Sequence, residues 1–202
     1  MTSPTPGRFS GHIDFGKPVS APEGGIPYWD VFPYDGDVTI KAVDAPVVPE
    51  PPRNGEGGEP CGECARGDED YLWTDADWRL NAGAGGKSLV NLMLTPRAHH
   101  DLADLPAALG AGMGAMIQRV EAAVMALGGV ARVHVNRWGD GGSHLHWWFF
   151  ARPEGLLQLR GTCLPLWGDV LPDLPEATWD AAMTSIASHM ATTGGRANRS
   201  VV

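Results

Sequence analysis

The sequence has few basic residues, few cysteines and no long apolar run. Its 15 Lys and Arg stand against 24 Asp and Glu, a net charge of −9. This diffuse acidity argues against nonspecific binding to nucleic acid, which needs basic patches. No stretch approaches the roughly 18 apolar residues of a membrane span, and the N-terminus lacks the apolar core of a secretory signal. We therefore expect a cytoplasmic protein with no nucleic-acid or membrane partner.

Glycine and proline are abundant instead, and they are unevenly placed. The 202 residues include 27 Gly and 17 Pro, and 43% are hydrophobic, which is typical of a globular domain with long loops. The run 45–60 (APVVPEPPRNGEGGEP) cannot bury enough apolar surface to offset its ordering entropy. We therefore predict an extended, partly disordered N-terminal segment and Pro/Gly linker over 1–60, a folded domain over 61–193 and a flexible tail over 194–202. The aromatic residues of 25–34 either dock on that domain or bind a partner.

The first half of the domain predicts strands followed by a long helix. Residues 71–80 contain two strand-like pieces around an acidic turn, and residues 88–94 form a short apolar run of strand length. Apolar residues then recur at three- and four-residue steps over 101–127. Asp101 or Asp104 can cap the start of this helix.

The second half predicts a hairpin followed by another helix. Residues 130–138 and 143–152 alternate as strands, and the glycine-rich turn 139–142 joins them. A second helix is predicted over 176–191. The order of strands, helix, hairpin and helix indicates an α+β fold with a mostly antiparallel sheet.

Two histidines alternate in the predicted strand that follows the glycine turn. His144 and His146 would share one face, about 7 Å apart at the rise of a strand. A lone histidine is more often structural, but two imidazoles side by side next to a glycine turn indicate a functional site.

Cys61 and Cys64 form a short Cys-x-x-Cys loop. Two such thiolates can hold a zinc ion but need two more ligands, for which His144 and either His99 or His100 are the best candidates. A redox pair would instead begin a helix in a thioredoxin-like unit. This loop follows the Pro/Gly run and precedes strands, which disfavours the redox interpretation.

Two other motifs are weaker. The run 81–88 (NAGAGGKS) resembles the end of a phosphate-binding loop, but Asn81 stands where that loop needs glycine, and a strand is predicted where it needs a helix. Ser143 adjoins a histidine without the G-x-S-x-G elbow of a hydrolase nucleophile. The third cysteine, Cys163, receives no role.

The stretch 136–150 (NRWGDGGSHLHWWFF) resembles the signature of the histidine triad (HIT) superfamily, including its galactose-1-phosphate uridylyltransferase branch. That signature has an asparagine, a glycine turn and histidines alternating with apolar residues. The upstream order is also similar: Cys-x-x-Cys, a strand pair around WTDADW, a strand ending in PRAH and a long helix opening with DLADLP. The resemblance covers roughly 61–160 and implies a HIT-like, mostly antiparallel sheet with one long central helix and a C-terminal helix.

The resemblance also implies roles for individual residues. His146 matches the nucleophile that forms a covalent nucleotidyl-histidine. A closed, structural zinc site would be formed by Cys61, Cys64, His99 and His144. His99 is preferred to His100 because the corresponding motif of the family is P-x-x-H. Family members often pair through the long helix and the sheet edge, which makes a homodimer an expectation.

The substrate-binding residues expected from the sequence are Asn136, Ser143, Trp148 and Arg152. Trp148 departs from the family, since HIT hydrolases have histidine there and the uridylyltransferases have glutamine. The resemblance therefore implies a nucleotide hydrolase or nucleotidyltransferase acting through His146 on a small phosphorylated ligand such as a nucleotide or nucleotide sugar. The alternative is an inactive HIT-fold protein that binds a nucleotide or a partner, because an indole cannot exchange a proton as an imidazole does.

Overall fold

The computed structural model describes residue 17, residues 29–34, residue 36, residues 42–83 and residues 86–198. The chain divides into two compact units, Met1–Pro51 and Pro52–Val202. In the first unit, Trp29–Val31 form a 3₁₀ helix. The ring of Phe32 stacks on Trp29, with centroids 5.9 Å apart, and meets Tyr34 edge to face at 5.3 Å.

The unit boundaries differ from the domain boundaries predicted from the sequence. The second unit begins at Pro52, so residues 52–60 lie outside the N-terminal segment to which their composition assigned them. Residues 196–197 form a strand within the predicted flexible tail. Both segments are held by contacts from distant parts of the chain, which composition does not reveal. Much of the segment predicted to be disordered, and residues 199–202, lie outside the described residues.

The second unit is built on an antiparallel sheet. Its strands are β1 (Trp73–Thr74), β2 (Trp78–Ala82), β3 (Asn91–Pro96), β4 (Val130–Asn136), β5 (Trp147–Pro153) and β6 (Arg196–Ala197). Over the described residues the sheet has six strands in the order β4-β5-β3-β2-β1-β6. The hairpins β1–β2 and β4–β5 form as the sequence predicts.

The helices of this unit are α1 (Ala107–Met125), α2 (Leu164–Gly168) and α3 (Glu176–Ala191). Short 3₁₀ helices occupy Asp68–Asp70 and Gly161–Cys163. The α+β class, the long helix and the C-terminal helix are confirmed. Among the residues that the structure describes, none of the helices combines the length and the apolar character that crossing a membrane requires.

The core lies between one face of the sheet and the two long helices. Leu80, Leu92 and Phe149 project from the central strands and are almost fully buried together with Val120 of α1 and Ile186 of α3. A smaller apolar cluster lies apart from this core and contains Leu89, Phe150, Leu159 and Leu164. The sheet therefore has a helix-covered face and a face that carries aromatic and polar side chains.

The long helix begins later than its apolar periodicity predicts. It starts at Ala107, after Pro106, and not at Asp101. Pro106 lacks an amide hydrogen and restricts the residue before it, which favours a helix start at that point. The carboxylate of Asp101 does not cap this helix; it pairs with Arg53 and Arg137 instead.

The strand that carries the two histidines also begins later than predicted. The alternation of side chains over residues 143–152 predicts a strand from Ser143. The strand β5 starts at Trp147 instead, so His144 and His146 lie in the loop before it. The amide of Ser143 donates to Asn54 O at 3.0 Å, and that of Leu145 donates to His100 O at 2.6 Å. The hydrogen bonds of these amides therefore go to neighbouring loops and not to the sheet.

Candidate metal centre and active site

Two thiols and two imidazoles meet where three loops converge. The Cys-x-x-Cys loop brings Cys61 and Cys64, the loop after β3 brings His99, and the loop before β5 brings His144. One ligand atom from each of the four residues lies within 4.8 Å of all the others. This is the set expected from the sequence, and it contains His99 and not His100.

The spacing of these atoms fits a tetrahedral zinc ion. Zinc bonds of about 2.3 Å to sulfur and 2.0–2.1 Å to nitrogen separate neighbouring tetrahedral ligands by roughly 3.5 Å. His144 Nδ1 lies 3.5 Å from the Sγ atoms of both Cys61 and Cys64, and His99 Nδ1 lies 3.5 Å from Cys64 Sγ. The donor set is also the one zinc prefers, and four protein ligands would leave no position for a reacting water.

Hydrogen bonds orient both imidazoles toward the thiols. His144 Nε2 lies 2.8 Å from Pro96 O, and a carbonyl only accepts, so Nε2 carries the hydrogen and Nδ1 keeps its lone pair. His99 Nε2 lies 3.3 Å from Ser143 Oγ, which in turn donates to Asn54 O at 3.2 Å. A hydroxyl that already donates accepts from His99, so the Nδ1 of His99 is free as well. Such outer partners fix the tautomer of metal-binding histidines.

Two adjacent thiols and a buried imidazole set the protonation behaviour of this cluster. Burial, together with the hydrogen bond and the charge of neighbouring Cys61, raises the pKa of Cys64 to about 11. Burial, only partly opposed by the hydrogen bond to Pro96, lowers the pKa of His144. The imidazole is therefore neutral and ready to bind a metal, whereas two adjacent thiolates need a positive charge between them.

His146 lies beside this cluster, and its ring hydrogen-bonds to the backbone through Nδ1. Its Nδ1 lies 2.8 Å from His144 O. Because that carbonyl can only accept, Nδ1 is the protonated nitrogen and Nε2 carries the lone pair of the neutral ring. His146 is partly exposed and lines an open cavity of about 260 Å³.

This cavity is lined by His146, the candidate nucleophile, together with His144 and residues of the Cys-x-x-Cys loop. Its lining comprises Asn54, Gly62, Glu63, Met93, Gly141, Gly142, His144 and His146. Among these lining residues, all from the described part of the chain, there is no Lys or Arg. Glu63 is the acidic member, and its carboxylate accepts from Tyr71 Oη at 2.8 Å and pairs with Arg66. A phosphate here would depend on backbone amides and the side-chain NH₂ of Asn54 for its donors, because the N–H of the neutral His146 ring is used by His144 O.

Trp148 separates the His146 cavity from an aromatic recess. Its ring meets His146 edge to face with centroids 6.3 Å apart, and it stacks on Phe150 at 5.9 Å. Trp138 packs against both Trp148 and Phe150. These three aromatic residues line a second cavity of about 130 Å³, together with Asn91 and others. Trp148 therefore fits a role as a platform for a flat ring next to His146.

The other residues expected to bind substrate lie at different distances from His146. Asn136 pairs across from Trp148, so the two side chains share a face of the sheet. Ser143 is buried, and its hydroxyl is used by His99 and Asn54. Arg152 lies toward the far end of β5, where it donates to Leu156 O. The structure thus places Trp148 beside His146 and Asn136 opposite Trp148, whereas Arg152 lies four residues further along β5.

Sequence reasoning missed the segment 53–56. The Asn-Gly pair at 54–55 is a turn signal within the low-complexity run, yet its distance in sequence from His99 and His144 hid its contacts. Trp138 was also missed as part of the recess, because it was assigned to the end of a strand. The glycine-rich run 81–88 borders the recess through Gly86 and Ser88, and residues 84–85 lie outside the described part.

Comparisons with known proteins found solved structures of similar fold at low sequence identity. A histidine triad protein from Bradyrhizobium japonicum is 20% identical over 60% of this chain and 92% of that chain, with a TM-score of 0.49. A Zn-bound histidine triad family protein from Mycobacterium smegmatis is 17% identical over 61% of this chain and 84% of that chain, with a TM-score of 0.45. A uridylyltransferase is 14% identical over 61% of this chain and 42% of that chain, with a TM-score of 0.42.

No family model and no curated protein matches the sequence. The TM-scores of these three matches lie below 0.5, and the roles of individual residues rest on their geometry.

Proposed function

We propose that the protein is a HIT-like nucleotide hydrolase or nucleotidyltransferase that works through a covalent nucleotidyl-histidine on His146. The observation that carries this proposal is the hydrogen bond from His146 Nδ1 to His144 O, at 2.8 Å. It leaves a neutral Nε2 with a lone pair at the wall of an open cavity. A nucleophilic imidazole needs this tautomer.

The reaction would proceed in two balanced steps. His146 Nε2 donates its lone pair to the α-phosphorus, the N–P bond forms, and the bond to the leaving group breaks with its electron pair on that group. Water or an acceptor hydroxyl then attacks phosphorus, the N–P bond breaks, and the attacking oxygen loses its proton to solvent. His146 is returned neutral after each turnover.

Substrate binding would be shared between the two cavities. The phosphate would lie against His146 and the amides of the turn Gly141–Gly142, which is where developing charge needs donors. A base or sugar would stack on Trp148 in the aromatic recess, with Asn136 beside it. Ser143 would act through His99 and Asn54, and Arg152 would meet only the distal part of a long ligand. We therefore propose a small phosphorylated ligand, such as a nucleotide or nucleotide sugar.

The metal cluster would hold structural zinc. Cys61, Cys64, His99 and His144 would bind the ion, which would supply folding energy and fix the loop that carries His146. No reaction step needs the ion itself. We retain the cytoplasm as the proposed location.

The homodimer stays a proposal as well. It is supported by the position of β4 at the sheet edge and by the many exposed residues of α1. A second copy could pack there without covering the cavity of His146, which lies at the loops before β5.

A second candidate function is binding without turnover. It is favoured by Trp148 in place of a proton-exchanging residue and by the lack of Lys or Arg among the described residues that line the His146 cavity. In this case the same two cavities would hold a nucleotide, or a partner that carries one, and His146 would not react.

Turnover of a substrate panel separates the two functions. Wild type, His146→Gln and His189→Gln are incubated with an adenosine phosphoramidate, a dinucleoside polyphosphate and a nucleotide sugar, and the released products are quantified. The enzyme proposal expects turnover by wild type and the His189 control, and its loss in His146→Gln. If no substrate turns over while wild type and His146→Gln bind nucleotide equally well, the protein is a binder.

A further inference from the structure

A short segment from the Pro/Gly-rich region lies across the metal cluster. We call residues 53–56 the metal strap. The strap belongs to the same compact unit as the cluster, and Asn54 forms a parallel β-bridge with Gly142 of the glycine turn. Its contacts reach all three loops that carry the candidate ligands.

Asn54 joins two of these loops through its backbone and its side chain. Its carbonyl accepts from the amide and the hydroxyl of Ser143, at 3.0 and 3.2 Å. Its side-chain Oδ1 accepts from the amide of Gly62, inside the Cys-x-x-Cys loop, at 3.0 Å. The same Ser143 hydroxyl contacts His99 Nε2, so Asn54 acts on that ligand through one intermediary.

Gly55 lies directly against the ligands. It has a φ of +82°, and a Cβ built there would lie 2.7 Å from His99 Cε1, 3.1 Å from Cys61 Cβ and 3.2 Å from Ser143 Oγ. Real Cβ atoms essentially never approach another atom as closely as the first of these distances. Position 55 is thus closed to any side chain as long as His99 stays in place.

Arg53 connects the strap to the loop after β3, which carries His99. Its guanidinium pairs with Asp101 at 3.0 Å and donates to Gly139 O at 3.0 Å. Asp101 lies two residues after His99, and its carboxylate also pairs with Arg137.

We propose that the metal strap is a built part of the metal centre: Asn54 and Gly55 are positioning residues that hold His99 and the Cys-x-x-Cys loop in place for the ion. Asn54 of the strap also lines the cavity of His146, so the strap connects the site of the ion to that cavity. This inference needs the metal but is independent of the proposed reaction.

A pair of glycine substitutions tests the proposal. Gly55→Ala introduces a Cβ against His99, whereas Gly58→Ala introduces one at a φ of +92° with nothing within 4 Å. Both variants carry similar backbone strain, so their difference reports the contact with the ligands. The full chain is freed of metal, reloaded with Zn²⁺ or Co²⁺, and titrated against a chelator of known affinity.

We expect Gly55→Ala to bind metal about 10–100-fold more weakly than Gly58→Ala, which is the usual effect of disturbing an outer partner. Its Co²⁺ complex should also lose part of its tetrahedral absorption band. Equal affinities in the two variants would overturn the proposal, as would a wild type that binds no metal. The second outcome leaves a nucleotidyl adduct on His146 possible, so it differs from failure of the proposed function.

Hydrogen exchange of wild type keeps the test valid if Gly55→Ala fails to fold. The amides of Asn54, Gly62 and Ser143 are engaged in the strap contacts. We expect these amides to exchange at least tenfold faster after chelation, while amides in α3 change little. Unchanged protection of the three amides would refute the link between metal and strap.

Discussion

The carbonyl oxygen of His144 lies 2.8 Å from Nδ1 of His146. The side chain of His144 faces the metal cluster while its backbone sets the tautomer of the neighbouring histidine. One residue therefore belongs to both proposed sites. If zinc binds as proposed, its loss would free the His144 ring from the ion and loosen the carbonyl that holds His146.

Removal of one thiol should destabilise the fold and not merely slow a reaction. Because a structural zinc contributes its binding energy to folding, we expect Cys61→Ser to lose on the order of 5 kcal/mol in the free energy of unfolding. The measurement is urea unfolding together with metal analysis. Cys163→Ala removes a thiol that lies outside the four-ligand cluster and should keep full metal content. An equally stable Cys61→Ser would contradict the metal assignment.

Trp148 should limit the rate and support binding. A histidine at this position adds a group able to move a proton, which typically contributes a factor of about 10²–10⁴. We expect Trp148→His to raise kcat at least roughly tenfold on that basis. Trp148→Ala should weaken nucleotide binding by about 1 kcal/mol through loss of stacking. A Trp148→His variant no faster than wild type would show that this position does not limit turnover.

The ion pair between Asp68 and Arg97 should make stability depend on pH in acid. Arg97 donates to both carboxylate oxygens of Asp68, at 2.7 and 3.1 Å, and this bond lowers the pKa of Asp68. A lowered pKa stabilises the fold above the unfolded-state value of about 3.9, and the stabilisation is lost as the pH falls below it.

Unfolding of Asp68→Asn at two pH values measures this effect. We expect the free energy of unfolding of wild type to exceed that of the variant by up to about 1 kcal/mol at pH 7, since the pair is partly exposed. This difference should shrink near pH 2. Asp77→Asn, at an exposed turn position, serves as the control. A difference that stays constant with pH would contradict the assignment.

The segment around β6 should be docked and not mobile. Gly195 has a φ of +73°, and a Cβ there would lie 2.5 Å from the ring of Trp73, whose Nε1 donates to Gly194 O. We expect Gly195→Ala to lower the free energy of unfolding by about 1–3 kcal/mol more than Gly128→Ala does. Gly128 has a similar φ of +70° and nothing within 4 Å. Equal thermal stability of the two variants would show that the segment is not packed on Trp73.

Local patterns predicted much of the fold. Periodicity placed α3 at its observed bounds and found both hairpins, since each is decided by neighbours in sequence. The start of α1 was misplaced because Pro106 interrupts an apolar pattern that continues through it. The start of β5 was misplaced because residues 143–146 alternate like a strand while their amides bond to other loops.

The ligand set could be predicted from residue types, while the surrounding groups could not. Cys61, Cys64 and the histidines carry recognisable chemistry, and the motif order suggested which histidine to choose. Asn54 and Gly55 act through one carbonyl, one amide oxygen and a missing side chain, and no residue-type pattern marks such roles. Two of their partners, His99 and Ser143, lie more than 40 positions away along the chain, in contacts that form only on folding.

The central claim is that His146 becomes covalently nucleotidylated, and intact-mass spectrometry measures this directly. The metal-loaded protein is mixed briefly with an adenosine phosphoramidate, quenched at alkaline pH where an N–P bond survives, and digested to locate the adduct. The account predicts a mass increase of one adenylyl group on His146 in wild type, and none in His146→Gln. An adduct on another residue, or product release with no adduct at any quench time, would contradict it.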